Sequence, residues 1–130
     1  MSDLEALILT PLIHAEEKHG ELADLVYADL FAAHPEYLDF FVLDSDGGVR
    51  RSMMRTCMDI IVGYAQGGYD EGYLYGMRLN HEQYGLADTV FDQFFEVIEA
   101  VAAREASAQW TPETAQAWAD MRADFLKTKY

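Results

Sequence analysis

Of the four histidines in this 130-residue chain, His81 stands where an imidazole can do most. Leu74, Met77 and His81 are spaced three and four apart, which puts them on one side of a helix and points the imidazole wherever that apolar face points. An inward imidazole is either satisfied by a neighbouring carbonyl or coordinates a metal, and histidine nitrogen is a common ligand of haem iron. The pair His14 and His19 offers less. Its members are five apart and diverge on a helix, where a zinc protease motif needs a spacing of four. Nucleophile-elbow, P-loop and dinucleotide-binding patterns are absent, and the glycines from Gly67 to Gly72 follow no strand.

The elements that must position His81 read as helices throughout. Ser2 and Glu5 have capping-box spacing ahead of Leu4, Leu7 and Ile8, so a helix starts at once. Pro11 makes residues 3 to 19 either one kinked helix or a lead-in with a second start at Thr10-Pro11, and Gly20 ends the segment. From Glu21 the positions Leu22, Leu25, Val26, Leu30 and Phe31 keep the helical period, with Tyr27 inward among them, and Pro35 halts the helix near His34. Pro35 to Phe41 is a short helical turn, and Asp44 to Gly48 a loop.

A buried-face helix follows over 49 to 66, with Met54, Cys57, Met58, Ile61 and Ala65 on one stripe. The run from Gln66 to Gly76 holds four glycines in eleven residues, each costing a helix about 1 kcal/mol relative to alanine. It is expected to be a loop leading into a short helix that carries His81. Asp88 or Thr89 can cap the next helix, which runs to about Ala106 with Val90, Phe94, Val97, Ile98 and Val101 inward. Thr111, Pro112 and Glu113 then form a strong start signal for a last helix with Trp118, Met121 and Phe125 buried. No stretch alternates with period two, so the fold class is all-α.

At 51% hydrophobic residues, the chain is long enough for one cored domain and too short for two, so residues 1–130 are expected to form a single unit. Nine Lys and Arg against 23 Asp and Glu give a formal net charge of −14, which repels phosphate backbones and anionic lipid and argues against nucleic-acid and membrane partners. The single cysteine, Cys57, cannot form an intramolecular disulfide, and its apolar neighbours suggest an inert buried thiol. An acidic N-terminus and the lack of a span-length apolar run point to a cytoplasmic protein.

Beside this reading stands a resemblance that runs along nearly the whole chain. His19-Gly20, Tyr27-Ala-Asp-Leu-Phe31-Ala-Ala-His34-Pro35-Glu36 and Phe41 resemble the front half of bacterial globins of the flavohaemoglobin and single-domain haemoglobin group. His81-Glu-Gln-Tyr-Gly-Leu86 and Trp110-Thr-Pro-Glu followed by Ala117-Trp118 resemble the back half. The resemblance implies a globin fold binding haem b, with His81 as the iron ligand, Phe41 packing on the haem face and Tyr27 as the distal hydrogen-bond donor to a gas ligand. It places Met53 nearest that ligand, Cys57 a turn further on, and Met77, Leu86, Val90 and Phe94 on the proximal side.

The function implied is reversible binding of a diatomic gas (O2 or NO, with CO as a further ligand) for storage, delivery or sensing by a monomer or homodimer. Two alternatives stay open. One is nitric oxide dioxygenation with an external reductase, and the other is a haemless signalling relative, against which His81 and Tyr27 argue because a haemless pocket would be filled by apolar bulk. The sequence also departs from the group. Met53 replaces the usual distal His or Gln, the segment before His81 is shorter and richer in glycine, Phe91 stands where a tyrosine partners the proximal histidine, and Tyr130 is reached before the glutamate of that device.

Overall fold

The computed structural model describes residues 2–129. Met1 and Tyr130, on which the two terminal readings bear, lie outside the described residues. Six α-helices follow one another: α1 (Asp3–His19), α2 (Ala23–Ala33), α3 (Gly48–Ala65), α4 (Glu71–Gln83), α5 (Asp88–Ala106) and α6 (Pro112–Leu126), with 3-10 helices at Pro35–Phe41 and Ser107–Gln109. There is no strand among the described residues, in keeping with the all-α expectation. No described helix is long and apolar enough to cross a membrane.

Local chemistry sets several boundaries. The Ser2 hydroxyl accepts from Glu5 N–H while the Glu5 carboxylate accepts from Ser2 N–H, so the capping box forms and α1 starts on it. Pro11 lies inside α1 without dividing it, which settles the choice in favour of one helix, and Gly20 takes a positive φ of 76° at its end. Thr111 accepts from Thr114 N–H with Pro112 next, opening α6 as the sequence suggests. The buried Asp44 caps α3 by accepting from Val49 N–H at 2.9 Å, Arg50 N–H at 3.0 Å and the Arg50 Nε–H at 3.0 Å. Burial alone would raise its carboxyl, but these donors more than offset that and hold it below the ordinary range.

Two sequence expectations need correction. The glycine-rich run is a loop only as far as Asp70, and α4 begins at Glu71 with Gly72 and Gly76 inside it. The Asp70 carboxylate accepts from Tyr73 N–H at 3.1 Å, and a cap of this kind contributes about 1 kcal/mol, enough to offset much of the glycine cost. At α5 neither Asp88 nor Thr89 is the cap. That position is Ala87, which makes no side-chain bond, and Asp88 is drawn instead into an ion pair with Arg78 at 2.8 Å.

The core gathers around α5, which packs against α1, α2, α4 and α6. It buries Phe91, Phe94, Phe95, Ile98, Val101, Ala102 and Ala106, and each large apolar side chain stabilises the fold by about 1.5–3 kcal/mol relative to exposure. Met121, Trp118 and Phe125 of α6 and Ile8 and Leu12 of α1 close around it. His19 and Lys18 at the end of α1 meet Glu105 of α5 at 2.6 and 3.3 Å. The fold therefore clamps α5 at both ends, while α4, which bears His81, packs chiefly on α5 alone.

Candidate functional site

A cleft with roughly 700 Å³ of empty space, counted together with the solvent at its mouth, lies between α2, the Pro35–Phe41 turn, α3, α4 and α5. All nine residues singled out from the sequence line it. Tyr27 comes from α2, Phe41 from the turn, Met53 and Cys57 from α3, Met77 and His81 from α4, Leu86 from the segment that follows, and Val90 and Phe94 from α5. Tyr27, Phe41 and Phe94 make one aromatic wall, with ring centroids 5.3 Å apart for Tyr27–Phe41 and 5.2 Å for Tyr27–Phe94.

The His81 ring answers the choice between a satisfied imidazole and a ligating one by allowing both. Its Nδ1 lies 2.8 Å from the Met77 carbonyl oxygen. A carbonyl only accepts, so Nδ1 carries the proton and Nε2 keeps its lone pair. Nε2 makes no hydrogen bond to any described residue. An imidazole with one nitrogen committed and a lone pair left on the other is the form in which histidine binds a metal.

Tyr27 supplies the second polar group. It is 2% exposed, yet its hydroxyl has no hydrogen-bond partner among the described residues. A buried polar group without a partner costs about 1–3 kcal/mol, so an orphan in a ligand cleft points to a group the cleft is built to receive. Burial first, and then nearby Cys57, push the phenol upward, so the hydroxyl remains a protonated donor. The Cys57 thiol is itself buried and pushed up to about 12 by burial, in line with an inert thiol.

Several further lining residues escaped the sequence reading. Ser52 and Thr56, one turn apart on α3, precede Met53 and Cys57 and share the cleft, and the Thr56 hydroxyl donates to the Ser52 carbonyl at 3.1 Å. Tyr37 also lines it, but its hydroxyl is occupied by Gln93 Oε1 at 2.6 Å. Phe91 did not escape it: the resemblance sets this residue where a partner of the histidine would stand, and it reaches the cleft beside His81, their ring centroids 5.5 Å apart.

No lysine, arginine, aspartate or glutamate lines the cleft. Aromatic and aliphatic walls, one free imidazole nitrogen and one unpaired hydroxyl suit a flat apolar group with a metal at its centre, and suit a phosphate or sugar poorly. Outside the cleft no cluster of three or more His, Cys, Asp or Glu among the described residues could hold a metal, and His14 and His19 form no such site.

The described residues thus form an all-helical domain around one apolar cleft. The Globin family model matches residues 24–128, and the chain belongs to the globin family. The match takes in all nine candidate residues and most of the fold, so the helical architecture is a globin fold, and haem-based gas binding is the general activity of that family. No curated protein and no solved structure gives a significant match.

Proposed function

We propose that this chain is a single globin domain that binds haem b through His81 and holds a diatomic gas, O2 or NO, reversibly beside Tyr27, in the manner of the single-domain relatives of flavohaemoglobins. The observation that carries the reading is the pairing, in one cleft without charged side chains, of an imidazole Nε2 and a buried hydroxyl that both lack a hydrogen-bond partner among the described residues. Haem would supply the iron at which the gas is bound. The chain's own residues would do the rest. Met77 oxygen fixes the His81 tautomer, Phe41 and Phe94 offer apolar ring contacts, and Tyr27 donates to a polar ligand that Met53 cannot serve.

Between reversible gas handling and nitric oxide dioxygenation, the surroundings of His81 favour the first. Its only hydrogen-bond acceptor among the described residues is the neutral Met77 carbonyl, and a neutral acceptor raises imidazole basicity less than a carboxylate does. The haemless alternative is disfavoured by the cleft, which leaves a polar donor buried and unpaired at a place where apolar bulk would fill a purely structural core. The lone buried thiol supports a reducing, cytoplasmic setting.

The test is haem uptake by the purified protein, followed in the visible spectrum, for wild type and His81→Ala. The expected result is one haem per chain with a histidine-ligated ferrous spectrum in wild type, and loss of that spectrum in the variant. Equal uptake and identical spectra would remove His81 as the ligand.

A further inference from the structure

The helix that carries His81 buries only two side chains, Leu74 and Arg78. Arg78 lies one turn before His81 and is 1% exposed, yet every arm of its guanidinium is engaged. Nη1 donates to Asp88 Oδ1 at 2.8 Å, Nη2 to Asp92 Oδ1 at 2.6 Å and to the Phe125 carbonyl at 2.8 Å, and Nε to the Thr128 hydroxyl at 2.7 Å. Lys129 reaches the other oxygen of Asp92 at 3.1 Å. Burial opposes the charge on Arg78, but Asp92 and Asp88 outweigh it and raise its pKa. The result is a rigid hub that pins α4 to the start of α5 and to the end of α6.

The hub also touches the ring that touches His81. The guanidinium carbon lies 4.8 Å over the centre of Phe91, a cation–π distance. The His81 imidazole meets the same ring at 5.5 Å and 68°, and Phe95 braces Phe91 at 5.6 Å. The bond from Nδ1 to Met77 fixes one point of the imidazole and leaves the ring free to swing about it. Phe91 is the surface that limits the swing, and Arg78 holds Phe91. Arg78 and Lys129 also occupy Asp88 and Asp92.

We propose that Arg78 is a positioning residue for His81: acting through Phe91 and through the seat of α4, it sets the plane in which the imidazole presents Nε2 to the cleft. This rests on the haem reading of the site. A stacked arginine whose fork reaches four separate acceptors is poorly replaced by lysine, whose ammonium is a point charge without that planar geometry. Arg78→Lys therefore keeps the charge and loses the geometry, whereas Phe91→Leu removes the intervening ring and keeps the polar hub.

Two readouts separate positioning from bulk stability. In protein without added haem, nuclear magnetic resonance of the carbon-bound protons of the His81 ring should lose the ring-current shift from Phe91 in Phe91→Leu and show a partial change in Arg78→Lys. In haem-loaded ferrous protein, the iron–histidine stretching band in resonance Raman spectra should shift or broaden in both variants, with helical content retained. His81 proton shifts and a stretching band that match wild type in both variants, alongside any loss of stability, would make Arg78 a structural residue only and overturn the proposal. If Arg78→Lys does not fold, Phe91→Leu decides by the same criteria. Failure of wild type to take up haem, or a loaded wild type without the histidine band, would instead overturn the haem reading, and the haem-free spectra would still decide whether Arg78 and Phe91 orient His81.

Discussion

Replacing Tyr27 by phenylalanine removes one oxygen from the cleft and leaves the ring that packs on Phe41 and Phe94 in place. The consequences for stability and for gas binding have different signs. A core tyrosine bonded to a carbonyl would lose about 1 kcal/mol on this change. The Tyr27 hydroxyl has no described partner, so the ligand-free variant is expected to keep its stability or gain up to about 1 kcal/mol, a rise of about 3–5 °C in Tm for a chain of this size. Loaded protein should behave otherwise. A hydroxyl donating to a ligand that carries partial negative charge, as dioxygen does in a ferrous globin, stabilises it by about 1–3 kcal/mol, so O2 release should quicken roughly 5- to 150-fold, with CO release changing far less. Thermal melts of ligand-free protein and stopped-flow release of both gases read the two halves. A variant about 1 kcal/mol less stable with an unchanged O2 off-rate would refute the assignment and make Tyr27 an ordinary core residue.

The other expectations concern the scaffold. Donors from His19 and Lys18 hold the Glu105 carboxyl down to about 2, from an ordinary 4.5. Because the folded pKa is depressed, the link between α1 and α5 contributes fully above about pH 4.5 and is lost as pH falls towards about 2. Urea titrations between about pH 6 and pH 2 should show the gap between wild type and Glu105→Gln closing over that window, and a constant gap would rule the link out. Gly76 lies inside α4, exposed, with open space where a Cβ would go. Gly76→Ala should raise stability by about 0.5–1 kcal/mol in a denaturant titration, and a loss would mean that α4 needs the glycine.

The sequence was most readable where the physics is local. Ser2 with Glu5, and Thr111 with Pro112, announce helix starts because donor and acceptor lie three residues apart. The apolar stripes of α5 and α6 are legible for the same reason, whereas the nine cleft residues come together as a set only through the family resemblance, and the structure brings them to one cleft. Arg78 was not legible. An arginine reads as solvated even among apolar neighbours, and the partners that bury it lie 10, 14, 47 and 50 residues further along the chain. The start of α4 was missed because glycine content weighed more in the reading than the single cap at Asp70, while in the fold the cap, Leu74 and Arg78 together prevail. Asp88 was read as a cap from its place before a periodic run, and the Arg78 guanidinium takes its carboxylate instead.

The separation of Arg78 from its last partners also orders events in time. Asp88 and Asp92 leave the ribosome soon after Arg78, so the turn between α4 and α5 can close early around the guanidinium. The Phe125 carbonyl and the Thr128 hydroxyl follow 47 and 50 residues later, a delay of about 2–10 s at ordinary rates of translation. Through that interval the helix bearing His81 is hinged on one side only. The cleft is therefore finished by Phe125 and Thr128, long after the residues that line it, and a group inserted before these two are in place would meet a looser door than one arriving later.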